Sequence, residues 1–212
     1  MTSSGLCGKS DICWCLVFFG MSKRVLVLAA SPRRDGNSTV LALRAAEGVE
    51  AAGGVADVVR LGGLRIGPCT ACDVCRSGPD VGCIFDDDMQ PLYGKLREAD
   101  GVIFASPVYW FNMSAQLKLF IDRTYAMRVG DRHGLTGKDV GVILTYEDVD
   151  VFVSGGINAL RCFQDICAYV GADLVGMVYG SAGKAGEVRG DEGLLGEAFD
   201  LGEKLVNHVS SG

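Results

Sequence analysis

The stretch VLVLAASPRRDGNST at residues 25–39 decides the fold of this chain. Its first six residues are a continuous apolar run, which is typical of a parallel strand buried on both faces of a sheet. From Ser38 an alanine- and leucine-rich segment follows and stops at Gly53 and Gly54, so we predict a helix at residues 38–52. A buried strand that leads through a short polar turn into a helix is the start of a βα unit. The stretch therefore predicts an α/β fold.

The same alternation of strand and helix continues along the chain. Further strands are predicted at residues 55–61, 101–105, 140–145 and 172–179, and further helices at residues 86–99, 114–125, 156–169 and 192–208. Five βα units with short connections predict a doubly wound parallel sheet with helices on both faces. Since no repeat and no linker divides it, residues 21–212 are predicted to form a single domain, with a cysteine-rich insertion at about 66–85.

The polar turn after the first strand has the chemistry of a phosphate site. In a doubly wound sheet, ligands bind beyond the carboxyl ends of the strands. Hydroxyl and amide side chains here precede a helix N-terminus, whose dipole and N–H groups favour an anion, and Arg33 adds a charged donor. The turn is not G-x-G-x-x-G, which disfavours a dinucleotide. The alternative is a helix cap in which Asn37 or Ser38 binds only the backbone, but a cap needs a single such residue.

Four cysteines lie within fifteen residues in the spacing C-x2-C-x2-C-x7-C: Cys69, Cys72, Cys75 and Cys83. Disulfides between cysteines three residues apart would close strained rings, whereas sulfur ligation of iron or zinc accepts this spacing. Bacterial ferredoxin loops share the C-x2-C-x2-C rhythm. From the spacing alone, an iron–sulfur cluster, a zinc site and free thiols all stay open.

Composition excludes some classes of function. The chain has 212 residues and a formal net charge of −6, and no basic cluster interrupts it, which argues against a nucleic-acid partner. The five cysteines outside the motif form no obvious disulfide framework, so we expect a reducing, cytoplasmic setting. Neither of the two histidines, His133 and His208, stands beside a paired carboxylate or a nucleophile motif, so no catalytic side chain is predicted.

Residues 1–20 do not continue the strand–helix pattern of the rest of the chain. Their apolar run at 12–19 is too short to span a bilayer, and a basic start and a cleavage site for a signal peptide are not evident. We expect Met21 to be the natural start and the preceding residues to be an upstream extension. The alternative is a hydrophobic segment that packs on the surface or touches a membrane without spanning it.

Taken in order, the motifs resemble those of the iron–sulfur flavoproteins, which belong to the flavodoxin-like NADPH-dependent FMN reductase superfamily. The resemblance covers nearly the whole chain from Met21. It is carried by S-P-R-x-x-G-N-S-T after the first strand, the cysteine motif, Asp87-Asp88-Met89, Ser106-Pro107-Val108-Tyr109-Trp110, Gln116-Leu117-Lys118 and Asp122-Arg123. It implies a flavodoxin-like sheet of five parallel strands in the order 2-1-3-4-5.

The resemblance also implies which residues hold the cofactors. The FMN phosphate would be held by Ser31, Arg33, Asn37, Ser38 and Thr39. The isoalloxazine ring would be lined by Pro107, Val108, Tyr109 and Trp110, with Asn112 nearby, and closed on its other side by the loop of Thr145, Tyr146, Glu147 and Asp148. A [4Fe-4S] cluster would be ligated by Cys69, Cys72, Cys75 and Cys83, although the seven-residue gap before Cys83 is on the long side for the family.

The residues themselves support this interpretation in part. Residues 107–111 are too aromatic to be a helix, so we predict a loop whose flat apolar side chains suit a planar ring. Core or interface packing is the alternative for Trp110 and Phe111. Asp122-Arg123 is predicted to be a surface ion pair, and residues 86–88 are predicted to cap a helix.

The sequence as a whole predicts an FMN- and iron–sulfur-dependent oxidoreductase. NAD(P)H or a ferredoxin-type protein would donate electrons, and the resemblance implies a homodimer or homotetramer. One alternative is a cluster-free NAD(P)H-dependent FMN or quinone reductase. Another is a flavodoxin-like electron carrier without a substrate of its own.

Overall fold

A twisted parallel sheet forms the centre of the computed structural model, which describes residues 22–78, 81–128, 130 and 132–209. The predicted extension at residues 1–20 lies outside this part of the chain. The strands are β1 (Arg24–Ala29), β2 (Val55–Arg60), β3 (Gly101–Tyr109), β4 (Asn112–Met113), β5 (Asp139–Tyr146) and β6 (Asp173–Ser181). The parallel strands follow the order β2-β1-β3-β5-β6, and β4 pairs antiparallel with β3.

The predicted strand order is confirmed for the five parallel strands, but the sheet has six strands rather than five. The additional strand, β4, is only two residues long and returns from β3 through a two-residue turn. So short a segment has no periodicity of its own, which is why the sequence does not reveal it.

Helices cover both faces of the sheet, as predicted. They are α1 (Asn37–Ala51), α2 (Gln90–Glu98), α3 (Ala115–Arg123), α4 (Gly156–Val170) and α5 (Glu192–Asn207). Residues of α1 and α5 share one apolar core with the sheet, and residues of α2, α3 and α4 share the other. Strand β1 shows why its sequence is continuously apolar, because Leu26 and Leu28 point into one core and Val25 and Val27 into the other. Among the described helices, none combines the length and apolarity that crossing a bilayer requires.

Two predicted boundaries are wrong by four residues, and the others differ by two residues or fewer. Helix α2 begins at Gln90, with a proline in its first turn, instead of at residue 86. Strand β3 continues through Tyr109, whereas residues 107–111 were expected to be a loop. Beyond Ala105 the strand no longer pairs with β1, so the missing N–H of Pro107 leaves no ladder partner unsatisfied on that side.

His208, which follows α5, is half-buried. Its Nδ1 lies 2.7 Å from Oδ1 of Asp139, a buried carboxylate whose Oδ2 accepts a 2.6 Å hydrogen bond from Lys23 Nζ. The same lysine donates to the carbonyl of Leu205, 3.0 Å away. The end of α5 is thereby tied to the amino-terminal edge of the sheet.

Helices α1 and α5 touch each other backbone to backbone through two glycines. A Cβ atom on Gly202 would lie 2.0 Å from the carbonyl oxygen of Ala45, and one on Gly48 would lie 2.1 Å from that of Phe199. Contacts this short leave no room for a methyl group. The two glycines therefore set the separation of the helices on this face.

We expect Gly202→Ala to lower the free energy of unfolding by about 1–3 kcal/mol, because the methyl group forces α5 away from α1. Gly196→Ala is the matched control in the same helix, since a Cβ there meets open space. It should raise stability by about 0.5–1 kcal/mol through helix propensity. Urea unfolding of the two variants checks this, and equal effects would contradict the packing argument.

Candidate functional site

The turn between β1 and α1 is folded closely onto itself. Ser31 is buried after the end of β1, and its Oγ accepts a hydrogen bond from Arg33 N at 3.2 Å. A Cβ on Gly36 would lie 2.1 Å from that Oγ. Gly36 has an ordinary φ of −64°, so glycine is required here for space and not for its conformational freedom.

Two hydroxyl groups in the first turn of α1 lack partners. The side chains of Ser38 and Thr39 are buried, and neither hydroxyl makes a hydrogen bond within the described structure. Buried polar groups are normally paired, so the orphaned hydroxyls mark a place where a ligand atom is expected. They stand at the positive end of a helix dipole, and an anion fits these residues.

Asn37 holds a second loop against this turn. Its Nδ2 donates to the carbonyls of Ala182 and Lys184 at 2.8 and 2.9 Å, and its Oδ1 accepts from Val188 N at 3.3 Å. The side chain predicted to contact phosphate is thus engaged with the loop after β6. Sequence reasoning missed this loop, and its Gly183 is the signal that could have indicated a close approach to a ligand.

A cavity of about 130 Å³ lies between these two loops and the ends of the central strands. The three segments predicted to hold FMN meet here, because Ser31 and Arg33, Pro107 to Tyr109, and Thr145 to Glu147 all line it. Because β1, β3 and β5 are parallel neighbours, their carboxyl ends lie at the same edge of the sheet. Asn112 does not line this cavity, and its Oδ1 accepts from Met113 N at 2.8 Å.

An aromatic hairpin borders a second cavity of about 500 Å³. Trp110 and Phe111 form the turn between β3 and β4, with φ values of +48° and +64°. Two positive φ angles in succession are what a tight two-residue hairpin requires, and in non-glycine residues such strain is typical of functional sites. The side chain of Trp110 is 94% exposed, so the expected alternative of core packing does not hold for it.

Helix α4 supports the aromatic hairpin from below. Asn158 Nδ2 donates to the carbonyl of Phe111 at 3.2 Å. Gly155, with a φ of +71°, lies so close to the Phe111 ring that a Cβ would be 2.4 Å from Cδ1. These contacts fix the hairpin beside Tyr146, a buried residue shared by both cavities. Burial, followed by the neighbouring Tyr179 and Asp150, raises the pKa of Tyr146, so its hydroxyl keeps its proton at neutral pH.

The four motif cysteines meet at one cavity between the insertion and the end of α3. Burial, then the neighbouring Cys83, Cys72 and Cys69, raises the pKa of Cys75. Ala71 and Asp73, on either side of Cys72, have φ values of +51° and +55°. All four thiols belong to residues that line this cavity, with Cys69 and Cys72 exposed, and a set of four sulfur donors fits an iron–sulfur cluster or zinc.

A buried ion pair closes the base of the cysteine loop. Arg123 is 1% exposed, and its Nη1 and Nη2 donate to the two carboxylate oxygens of Asp87 at 2.6 and 3.2 Å. Asp87 Oδ2 also accepts from Gly67 N at 2.9 Å, and Arg123 Nη1 donates to the Gly67 carbonyl at 3.0 Å. Both ends of the loop are therefore bound to one guanidinium–carboxylate pair.

This pair corrects two predictions. Arg123 was expected to form a surface pair with Asp122, but Asp122 instead pairs with Lys118, at 2.6 Å on the exposed face of α3. Asp87 was expected to cap a helix, yet its main partner is Arg123. Burial alone would raise the pKa of Asp87, but hydrogen bonds from Arg123 and from the Gly67 and Met89 amides outweigh it and hold the pKa below its usual range.

Comparison with known proteins agrees with this geometry. A family model described as NADPH-dependent FMN reductase matches residues 23–186. An iron-sulfur flavoprotein of Archaeoglobus fulgidus is 34% identical over 186 residues, which are 87% of this chain and 79% of that relative. An iron-sulfur flavoprotein of Methanocaldococcus jannaschii is 35% identical over 107 residues, which are 50% of this chain. The chain spans about half the length of that second relative, 54%.

The fold also has a close counterpart among solved structures. An NAD(P)H:quinone oxidoreductase from Methanothermobacter marburgensis has a TM-score of 0.69 and 21% identity, over 89% of this chain and 100% of that chain. At this level of identity the likeness concerns the fold alone.

Proposed function

The chain belongs to the iron–sulfur flavoproteins of the NADPH-dependent FMN reductase family, and from this premise we propose that it is an NAD(P)H-dependent flavin oxidoreductase that carries FMN and a [4Fe-4S] cluster. The observation that carries the proposal is that one domain contains a helix N-terminus that favours an anion, an aromatic hairpin and a cavity lined by four cysteines. An electron carrier without a substrate would not need the open cavity of about 500 Å³ beside the hairpin.

The proposed FMN site uses the three segments that line the smaller cavity. The N-terminal turn of α1 would hold the phosphate, with the Ser38 and Thr39 hydroxyls as donors and Arg33 as the neutralising charge. The ends of β3 and β5 would flank the ring, and the hairpin would limit its contact with water at Trp110. FMN itself supplies hydride acceptance from a nicotinamide, while these side chains bind and orient it.

The proposed cluster site uses Cys69, Cys72, Cys75 and Cys83. An iron–sulfur cluster supplies one-electron transfer, and thiolate ligands with few waters around them suit it. The apolar side chains of Ile84 and Phe85 line the same cavity, while Cys69 and Cys72 are exposed. Sulfur donors also bind zinc, so the metal is to be identified by measuring the metal content of the purified protein.

Anaerobic purification followed by flavin, iron and sulfide analysis tests the proposal. About four irons and four sulfides per FMN, together with steady-state NAD(P)H oxidation, are expected. Flavin and turnover without iron, even after reconstitution with iron and sulfide, would leave a simple flavin reductase. A protein that binds FMN but does not oxidise NADH or NADPH would contradict the enzymatic part of the proposal.

Arg33→Ala is expected to weaken FMN binding by about 10- to 100-fold, because it removes a charge-assisted hydrogen bond to the phosphate. Riboflavin, which lacks the phosphate, should bind both proteins equally. Fluorescence quenching titrations of the two flavins measure the difference. Arg34→Ala is the matched control, since Arg34 is exposed and does not line the cavity. Equal losses in the two variants would argue against a phosphate at this turn.

Ser38→Ala is expected to act in opposite directions with and without FMN. In the FMN-free protein it removes a buried hydroxyl that lacks a partner and should raise the free energy of unfolding by up to about 1 kcal/mol. FMN affinity should fall, because a phosphate donor is lost. Ser114→Ala is the control, since the Ser114 hydroxyl donates to the Ala30 carbonyl at 3.0 Å and its loss should destabilise. Thermal unfolding without FMN measures the change in stability, and the extra stabilisation on adding FMN measures the change in FMN affinity.

A further inference from the structure

We propose that Arg123 is a positioning residue of the cysteine site, whose Nε–H donates a hydrogen bond to the sulfur atoms of a bound cluster and so raises its reduction potential. This inference rests on the cluster proposed above. The acceptor of this hydrogen bond would be the negatively charged sulfur atoms of the four cysteine thiolates and of the inorganic sulfides of the cluster.

The hydrogen bonds of Arg123 leave one of its three side-chain nitrogen atoms without a partner. Its Nη1 serves Asp87 and the Gly67 carbonyl, and its Nη2 serves Asp87. The Nε atom is buried and makes no hydrogen bond within the described structure. A guanidinium group that is 99% buried with an idle N–H is unusual, because leaving a buried charged donor unpaired is costly.

The position of the side chain identifies the missing acceptor. Arg123 lines the cavity that the four motif cysteines also line. Its guanidinium carbon lies 5.1 Å from the centre of the Phe85 ring, and Phe85 lines the same cavity. The Tyr93 hydroxyl donates to the Arg123 carbonyl at 3.1 Å and fixes the end of α3 beneath the loop. Because Arg123 shares this cavity with the four cysteines, we assign their sulfur atoms as the acceptor for the Nε–H.

The electrostatic consequence has a definite sign. A cluster gains negative charge when it is reduced, so a hydrogen-bond donor directed at its sulfurs stabilises the reduced form more than the oxidised one. Asp87 balances the formal charge of Arg123, so the pair as a whole adds little net charge. The contribution that favours reduction of the cluster is therefore the hydrogen bond from the Nε–H of Arg123.

The test compares cluster potentials in a variant that keeps the pair neutral. In Asp87→Asn/Arg123→Gln both charges and the Nε–H are removed without leaving an unpaired buried charge. The variant should fold, bind FMN and bind iron, but its reduction equilibrium should shift against the reduced cluster by about tenfold. For a one-electron couple that shift is about 59 mV. The potential is measured by a dye-mediated titration followed by electron paramagnetic resonance.

The matched control is Arg44→Gln/Glu47→Gln, which removes an exposed pair from α1 on the opposite face of the sheet. Its cluster potential should equal that of the wild type. If the double variant at residues 87 and 123 fails to bind iron, Arg123→Lys is measured instead. It keeps the positive charge but loses the Nε–H, and a lower potential than in the wild type is again expected.

The outcomes separate the two proposals. A wild-type protein that binds no iron after anaerobic reconstitution would overturn the proposed cluster, and this inference with it. A wild-type protein that binds the cluster, with a potential unchanged in the double variant or in Arg123→Lys, would overturn the role of Arg123 alone. A lowered potential with unchanged FMN affinity would support both.

Discussion

Cys83→Ala is expected to remove iron from the protein while FMN stays bound. One of four ligands is lost, so iron per FMN should fall from about four to below about one. The surrounding loop should keep its shape, because Gln90 Nε2 holds the carbonyls of Cys83 and Phe85 at 2.9 and 2.6 Å independently of the thiol. The cavity proposed for FMN shares no lining residue with the cysteine cavity, so flavin content should be unchanged.

Cys162→Ala is the control for this prediction. Cys162 is half-buried in α4 and lies outside the cysteine cavity. The substitution should leave iron, sulfide and FMN at wild-type amounts. If Cys83→Ala retains its iron, the fourth ligand has been assigned wrongly. If it loses FMN as well, the two sites are coupled in a way that this structure does not suggest.

Asp87→Asn is expected to lower the free energy of unfolding by about 3–5 kcal/mol at neutral pH, because it leaves the buried guanidinium of Arg123 without its counter-charge. Asp122→Asn is the control. It breaks the exposed pair with Lys118 and should cost no more than about 0.5 kcal/mol.

The effect of Asp87 should depend on pH with a definite sign. Its pKa in the folded protein is lower than in the unfolded chain, so the ionised carboxylate stabilises the fold above the unfolded value, near pH 4. That stability is lost as the pH falls through the lower folded pKa. Urea unfolding of the wild type and Asp87→Asn should therefore differ most at neutral pH and converge in acid. A constant difference down to pH 2 would contradict this assignment.

Local sequence patterns were enough to predict most of the elements. Residues 25–39 form the predicted strand, turn and helix. Each was predictable because the spacing of apolar residues along a short segment indicates its secondary structure. The parallel strand order, which the family resemblance implied, also agrees. The predicted flavin and cluster ligands stay predictions, although the structure brings most of them to two cavities; Ser38, Thr39, Trp110 and Asn112 line neither.

The sequence could not predict which polar side chains would bind each other. Asn37 and Ala182 are 145 residues apart, and Arg123 and Asp87 are 36 apart. In the sequence, the acid next to Arg123 is Asp122, which is why a surface pair between them was predicted. In the structure Arg123 pairs with Asp87 instead, because its fully buried guanidinium needs a carboxylate within the same interior.

The amino-acid sequence by itself determined the α/β alternation, the helix start after β1 and the spacing of the four cysteines, since all of these depend on neighbours along the chain. Only the tertiary structure decided that Trp110 stands exposed on a strained hairpin and that Asp87 and Arg123 close the cysteine loop. Such features depend on which distant segments pack together, and side-chain partners are selected by that packing rather than by local propensity.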